Sequence, residues 1–548
     1  MRQALRQNRA RAQTAIQGSV PAPINGWNTL DSIAGMKPGY AVILDNWICR
    51  GEAIEMRRGF IEQCTGTADA VETLIAWRGD SAGDKLFACA GANIIDVTTA
   101  GALPSAAYAS AASARWNYTN FANDAGRFAI LVNGAQEALK YDGSSFAVTS
   151  ITGTSGSITL TPADLKYVMA HKARLHFIEK NTLRVWFLDV NAIAGAAGLL
   201  DLGPVFTRGG YLVGLGRLTL DGGVGPDDFA CYLTSEGQVA IYQGTDPSDA
   251  NNWALVGVYN LAKPIGERGF IEFGTDLLVL TEAGVFALTT ILRTPVEQQG
   301  NKALSQKIGP TLASAAASYG ANFGWQLTPY SGRGGLLIVN VPTAELSTSE
   351  QYVRSSQGGG WSRFTGIDAF CWETANGEIY FGSTAGVYRW DAGASDNSTP
   401  ITPDVLPAYQ AFSSRGQNKV FTMVRALLRA PSIVRPALQV LTNYDKDTVP
   451  TAVQNTVTPG DVSPSDASIV RQDWTGAAGE GYVGSPRMRF SLTGATDSDR
   501  VAVTEDLTSL LLLGPAGTDH ILTRPNLPLD VEVQCIGFDV LYVNGGPI

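Results

Sequence analysis

A short apolar strand, a turn and a second apolar strand recur seven times in this chain, and no other feature restricts its fold as much. The hairpins begin at Lys85, Arg127, Arg174, Phe229, Asp276, Gly335 and Glu378, at intervals of 42 to 59 residues. Asn133-Gly134, Glu236-Gly237 and Ala283-Gly284 supply turns that tolerate positive φ between strands rich in Val, Ile, Leu and aromatics. A period of about 40–50 residues with several strands per unit predicts a β-propeller, whose blades bury their faces only by stacking around an axis. The spacing allows six to eight blades, and seven hairpins favour seven. The uneven intervals predict long inter-blade loops at 191–226 and 290–325. The second should hold a short helix near 310–320, opened by Pro310, with Leu312, Ala315, Ala316 and Tyr319 on one face and Gly320 at its end.

The predicted fold class is therefore all-β, in three parts. Residues 1–30 read as an extended N-terminal arm, residues 31–395 as the propeller, and residues 396–548 as a C-terminal β-rich domain. Polar, Pro-bearing residues 391–407 separate the last two. Strand-like runs at 419–429, 437–444, 487–493 and 531–543 then fit a β-sandwich or small barrel. At 548 residues the chain exceeds what one core supports. Charged residues make up 16% of it, against about 25% in a typical domain, and 45% are apolar, which excludes a disordered chain. No apolar run approaches the roughly 18 residues that span a bilayer. Cys49, Cys64, Cys89, Cys231, Cys371 and Cys535 are scattered, as buried reduced thiols are, and the N-terminus lacks the apolar core of an export signal.

Charge is distributed unevenly. The net charge is −10, which argues against a broad grip on nucleic acid. Arg2, Arg6, Arg9 and Arg11 precede the first acidic residue, Asp31. Arg415, Lys419, Arg425, Arg429 and Arg435 lie in a stretch without an acid, whereas residues 441–548 carry 14 acids and 6 bases. Such asymmetry is what a self-complementary assembly would show, and these nine cations are its candidate interface. DNA is the rival partner for the second cluster.

Chemical motifs are scarce. The chain contains no P-loop, HExxH, GxSxG elbow or strand-linked GxGxxG. His171 and His176, five residues apart, would point to opposite faces of one strand, and His520 stands alone. Asp221, Asp227 and Asp228 sit in a Gly-rich loop that could offer Ca²⁺ oxygen ligands, but without the alternating spacing of a calcium loop. The stretches Ser355-SQGGGW and Asp246-PSDANNW are partial matches to the Asp-box turns of sialoside-cleaving propellers, and read more simply as seats for Trp361 and Trp253. A glycosidase would need a carboxylate pair or a tyrosine nucleophile. No catalytic, cofactor-binding or metal-ligating residue is assigned.

Several long phrases resemble the tail hub, or nozzle, proteins of short-tailed bacteriophages. They are Gly26-WNTLDSIAGMKPGYAVILDNW with Arg57-RGF, Val239-AIYQGTDPSDANNWALVGVYNLAKPIG, Tyr319-GANFGWQL, Trp361-SRFTG and Phe412-SSRGQNKVFTM. The resemblance runs from about residue 26 to 425. It implies a propeller-based virion protein of the tail, made in the host cytoplasm, without enzymatic activity. It further implies a hexameric ring below the portal and adaptor, with fibres or spikes on its flank and genomic DNA passing through without specific binding. An acidic, sparsely charged wall suits such a conduit, since each basic contact to phosphate adds affinity. The competing class is a propeller that binds or hydrolyses a surface glycan.

Overall fold

No two of the seven hairpins share a sheet in the computed structural model, which describes residues 14–79, 83–221, 226–292, 294–412, 414–429, 436–450, 469–470, 475–490 and 533–544. The chain divides into two units. The larger, Arg58–Ser356 with Arg363–Asn397, is the propeller.

Blade 1 comprises Val71–Trp77, Lys85–Ala90, Asn93–Asp96 and Ala106–Tyr108, and blade 2 comprises Asn117–Asn123, Gly126–Val132, Leu139–Tyr141 and Phe146–Val148. In blade 3, Leu165–His171, Arg174–Glu179, Arg184–Phe187 and Gly198–Asp201 pair in that order. Blade 4 follows with Leu212–Asp221, Pro226–Thr234, Gln238–Gly244 and Trp253–Asn260. Blade 5 has Phe270–Phe273, Asp276–Thr281 and Gly284–Ala287, and blade 6 has Gln326–Tyr330, Leu336–Ala344 and Thr348–Ser355. Blade 7 draws Cys371–Ala375, Glu378–Gly382 and Gly386–Trp390 from the end of the unit, and its outer strand, Phe60–Thr65, from the beginning. Antiparallel pairing from Gly386↔Thr65 to Trp390↔Phe60 closes the ring.

The cores lie between blades. Ile75, Trp77, Phe87, Ala129, Leu131 and Tyr141 join blades 1 and 2. Across the closure, Cys64, Val71, Leu74, Ala88, Cys371 and Val387 join blade 7 to blade 1. A strand in the middle of a blade is covered on both faces by its neighbours, so it becomes apolar without alternation. Arg174–Glu179 is buried along its whole length, and Gly126–Val132 over its last five residues. Gly237 shows how tightly the turns are set: its φ is +73°, and a Cβ there would lie 2.4 Å from the Leu261 carbonyl oxygen.

Residues 191–226 are not a loop, as the spacing predicted. They contain the outer strand of blade 3, Gly198–Asp201, and the whole inner strand of blade 4, Leu212–Asp221. The second long connection does hold the expected helix, Gly309–Tyr319, with Pro310 in its first turn and Leu312, Ala315 and Ala316 buried.

The smaller unit comprises the residues up to Arg57, Gln357–Ser362 and those from Ser398 onward. One of its sheets orders Trp47–Cys49, Ile54–Met56, Gln534–Asn544 and Lys419–Arg429. Ile16–Pro21 adds to Gln534–Asn544, and Thr475–Gly481 to Lys419–Arg429. A second run of strands orders Tyr40–Asp45, Asp404–Pro407, Gly484–Arg489 and Ala437–Thr442. Trp47 meets Phe490 edge-on at 5.8 Å within this unit's core.

Three stretches therefore differ from the sequence reading, the first being Gln357–Ser362, read as propeller but part of the smaller unit. Residues 31–57 do not begin the propeller. Their strands look like blade strands, but Tyr40–Asp45 pairs with Asp404–Pro407 and Ile54–Met56 reaches Gln534 and Cys535. The described part of the arm is not a free extension either, because Ile16–Pro21 is a strand registered from Ile16↔Tyr542 to Pro21↔Gly537.

Candidate functional site: the propeller axis and its mouth

Every blade turns its first strand to the axis, where residues of all seven enclose a cavity of about 190 Å³. These inner strands pair on one edge only, so backbone groups on the other edge need side-chain partners. Thr73 Oγ donates to the Ala114 carbonyl at 2.7 Å and accepts from the Trp116 amide at 3.0 Å. Asn120 donates to the Ala76 carbonyl at 2.8 Å, and Asn117 Oδ1 accepts from the Val168 amide at 3.0 Å. Gln326 exchanges two bonds with the Trp372 backbone, at 2.7 and 3.0 Å.

Arg268, just before blade 5, spans the axis. Its guanidinium donates to the Glu72 carbonyl at 2.9 Å, Thr73 Oγ at 2.6 Å and the Trp116 carbonyl at 3.3 Å, all on the side of blades 1 and 2. Its head also lies 5.1 Å from the centre of the Phe323 ring, which Arg115 covers at 4.1 Å. Arg115 in turn pairs with Glu72 at 2.6 Å and Glu345 at 2.8 Å.

The other polar pair on the axis is Tyr118 and Glu373, whose hydroxyl and carboxylate are 2.8 Å apart. Burial raises the Glu373 pKa, and it pushes the Tyr118 phenol well above its ordinary range. Tyr118 Oη also accepts the Ala76 amide at 3.0 Å. A tyrosine nucleophile needs access to the phenolate, which burial disfavours here.

Beside the axial cavity lies a wider one of about 490 Å³, the mouth, and Tyr167, Val213, Glu267 and Arg268 line both. Lys166 pairs there with Glu267, Lys263 with Glu236 at 2.8 Å, and Lys180 with Asp164 at 2.8 Å.

The residues singled out by sequence are placed as follows. Arg2, Arg6, Arg9, Arg11, Arg435 and His520 lie outside the described residues. Lys419 is not a surface cation. It is fully buried and donates to the carbonyls of Ser414, Gln417 (2.8 Å) and Tyr482 (2.9 Å), and burial lowers its pKa. Arg425 finds its carboxylate within its own chain, at Asp539. Arg415 donates to the Ala34 carbonyl at 3.3 Å, and Arg429 is exposed at the end of its strand.

His171 and His176 do not share a strand. Lys172 and Ala173 turn the chain between them, so the rings come together at 6.0 Å on adjacent strands of blade 3. His176 stacks on Trp253 at 5.8 Å, and its Nδ1 lies 3.1 Å from Tyr232 Oη. Of the acidic loop, only the Asp228 side chain is described, and it accepts from Thr219 at 2.8 Å. Asp246 and Asp249 accept from backbone and side chains two and three residues on, forming the turn that leads to buried Trp253. All six cysteines are buried and unpaired. Among the described residues, no group of three or more His, Cys, Asp or Glu is placed to hold a metal.

Sequence reading missed Arg268, Glu373 and the mouth. The one available signal was Glu267-Arg268, a charged pair set between two blade hairpins.

No family model matches this chain, and no curated protein matches it. Among solved structures, BBS1N in complex with ARL6DN shares 10% identity over 61% of this chain and 97% of its own, with a TM-score of 0.38. YCF48 from Cyanidioschyzon merolae shares 11% over 59% and 96%, at 0.34. The Aleuria aurantia lectin, described as a six-bladed β-propeller, shares 12% over 53% and 93%, at 0.27. Strand pairing makes this chain an all-β protein built on a seven-bladed propeller.

Proposed function

We propose that the chain is a structural virion protein, the tail hub or nozzle of a short-tailed bacteriophage. In this reading copies form a ring, expected to be a hexamer, that extends the portal–adaptor channel and conducts DNA during ejection. Adaptor proteins bind one end, fibres or spikes its flank, and the protein has no catalytic role.

The observation that supports the reading is a propeller axis crossed by Arg268 and too narrow for a duplex, taken together with the phrases that resemble those of tail hubs. Arg268 bridges a cavity of about 190 Å³. A duplex whose major groove alone is about 12 Å wide cannot pass there. In this reading the conduit lies between copies, with each propeller as a block of its wall. Closure by Phe60–Thr65 favours that use, since a ring sealed by its own first strand resists opening.

Light scattering on the purified full-length protein tests the reading. A mass of six times 58.0 kDa is expected. A monomer at every concentration up to that of an infected cell would overturn it.

A further inference from the structure

We infer that the outer strand of blade 4, Trp253–Asn260, pairs antiparallel with the same strand of a second copy, joining two propellers edge to edge. The inference stands on blade 4 alone. A two-fold contact differs from the head-to-tail contact of a ring, so it joins two free chains or two rings alike.

An edge strand presents unpaired amides and carbonyls, and proteins blunt such edges with short strands, lysines, prolines or bulges. Blades 1, 2, 3 and 5 end in strands of three or four residues. Blade 4 ends in one of eight, and among the described residues no strand pairs with its outer edge. Residues 250–262 contain no charge and no proline. The strand does carry a bulge. Leu255 pairs with Tyr242 and Gly257 with Ile241, so Val256 has no residue opposite. Leu255 and Val256 are consecutive and both face solvent, 45% and 48% exposed, beside exposed Ala254.

The lack of charge identifies the occupant. An edge kept for a foreign strand would still need a lysine or proline against its own copies, and residues 250–262 supply neither. The nearest charges also suit a copy. Asp249 precedes the strand, and Lys263, already paired with Glu236, follows it. Antiparallel alignment sets each Asp249 beside that neutralised pair, whereas parallel alignment would oppose two aspartates. Leu255 and Val256 of the two copies then meet near the two-fold axis.

Sedimentation velocity of the full-length protein over a concentration series tests the pairing. The mass should double as concentration rises, whether the unit that doubles is a chain or a ring. Val256→Lys should raise the concentration required by about tenfold or more, because it opposes two cations near the axis. Val256→Cys gives a second reading, since all six native cysteines are buried. On oxidation it should form a covalent dimer faster than Ser157→Cys, an exposed position between blades 2 and 3. Val256 is half-exposed, so both of its variants should keep the parent's melting temperature. A mass that never doubles would overturn the inference and leave the edge to a foreign strand. Doubling unaffected by Val256→Lys would place the contact elsewhere and overturn it too, as would Val256→Cys cross-linking no faster than Ser157→Cys.

Discussion

Arg425 faces Asp539 across the antiparallel pair formed by Lys419–Arg429 and Gln534–Asn544, and its guanidinium reaches the carboxylate at 2.7 Å. The positive segment does meet the negative one, but inside one chain. Burial pushes the Asp539 pKa up, while hydrogen bonds from Arg425 and Ser19 outweigh it and hold the carboxyl below its ordinary value.

Arg425→Ala should therefore cost about 1–2 kcal/mol in urea denaturation, between a surface pair and a fully buried one. Because the folded carboxyl titrates below its unfolded value of about 3.9, this contribution is present above that pH and is lost as pH falls through the folded value. A variant as stable as the parent at pH 7 would show the pair to be ornamental.

The histidine pair predicts a second acid effect. Burial lowers the pKa of His171 to about 4 and that of His176 to about 3. Charged groups around them include Lys172, Arg174, Arg217 and Asp228. Between about pH 6.5 and those values the unfolded chain binds protons that the folded chain does not, so stability falls as pH drops through that window. His176→Phe should flatten the decline measured between pH 6.5 and 4.5. An unchanged slope would mean that other groups set it.

Arg268 is expected to hold the axis together. Truncation to Ala leaves the Glu72 and Trp116 carbonyls short of donors, at a cost of about 1–3 kcal/mol. Arg268→Lys should recover little, because one ammonium cannot reproduce the planar fork. Full rescue by Lys would point to charge alone.

For the N-terminal arm, the informative deletion is residues 2–13. A longer deletion would remove the strand Ile16–Pro21, whereas this one takes the four arginines and leaves the strand. Under the tail-hub reading the shortened protein keeps its melting temperature and assembles at higher concentration than the parent. Identical assembly would remove the arm from the interface.

Much of the propeller was legible because its middle strands are covered on both faces. Runs such as FAILV and LHFIE carry no polar alternation, and the turns between them hold glycine. Inner and outer strands were harder to see. Leu212–Asp221 carries two glycines and an arginine, since Gly214 and Gly216 lie against Phe270 and Arg217 pairs with Glu272 of blade 5 at 2.7 Å. The axial site was hidden for a different reason. Thr73, Trp116, Arg268 and Glu373 meet only when the ring closes, and no local pattern brings such distant residues together. Lys419 and Arg425 misled because a run of cations looks the same whether it faces carbonyls, one buried carboxylate or solvent.

Electron cryomicroscopy of the purified full-length protein tests the central claim most directly. The account predicts six copies around a common channel, each with seven radial sheets and with Phe60–Thr65 as the outer strand of the seventh. Single propellers that never associate, or a blade 7 closed by any other segment, would contradict it.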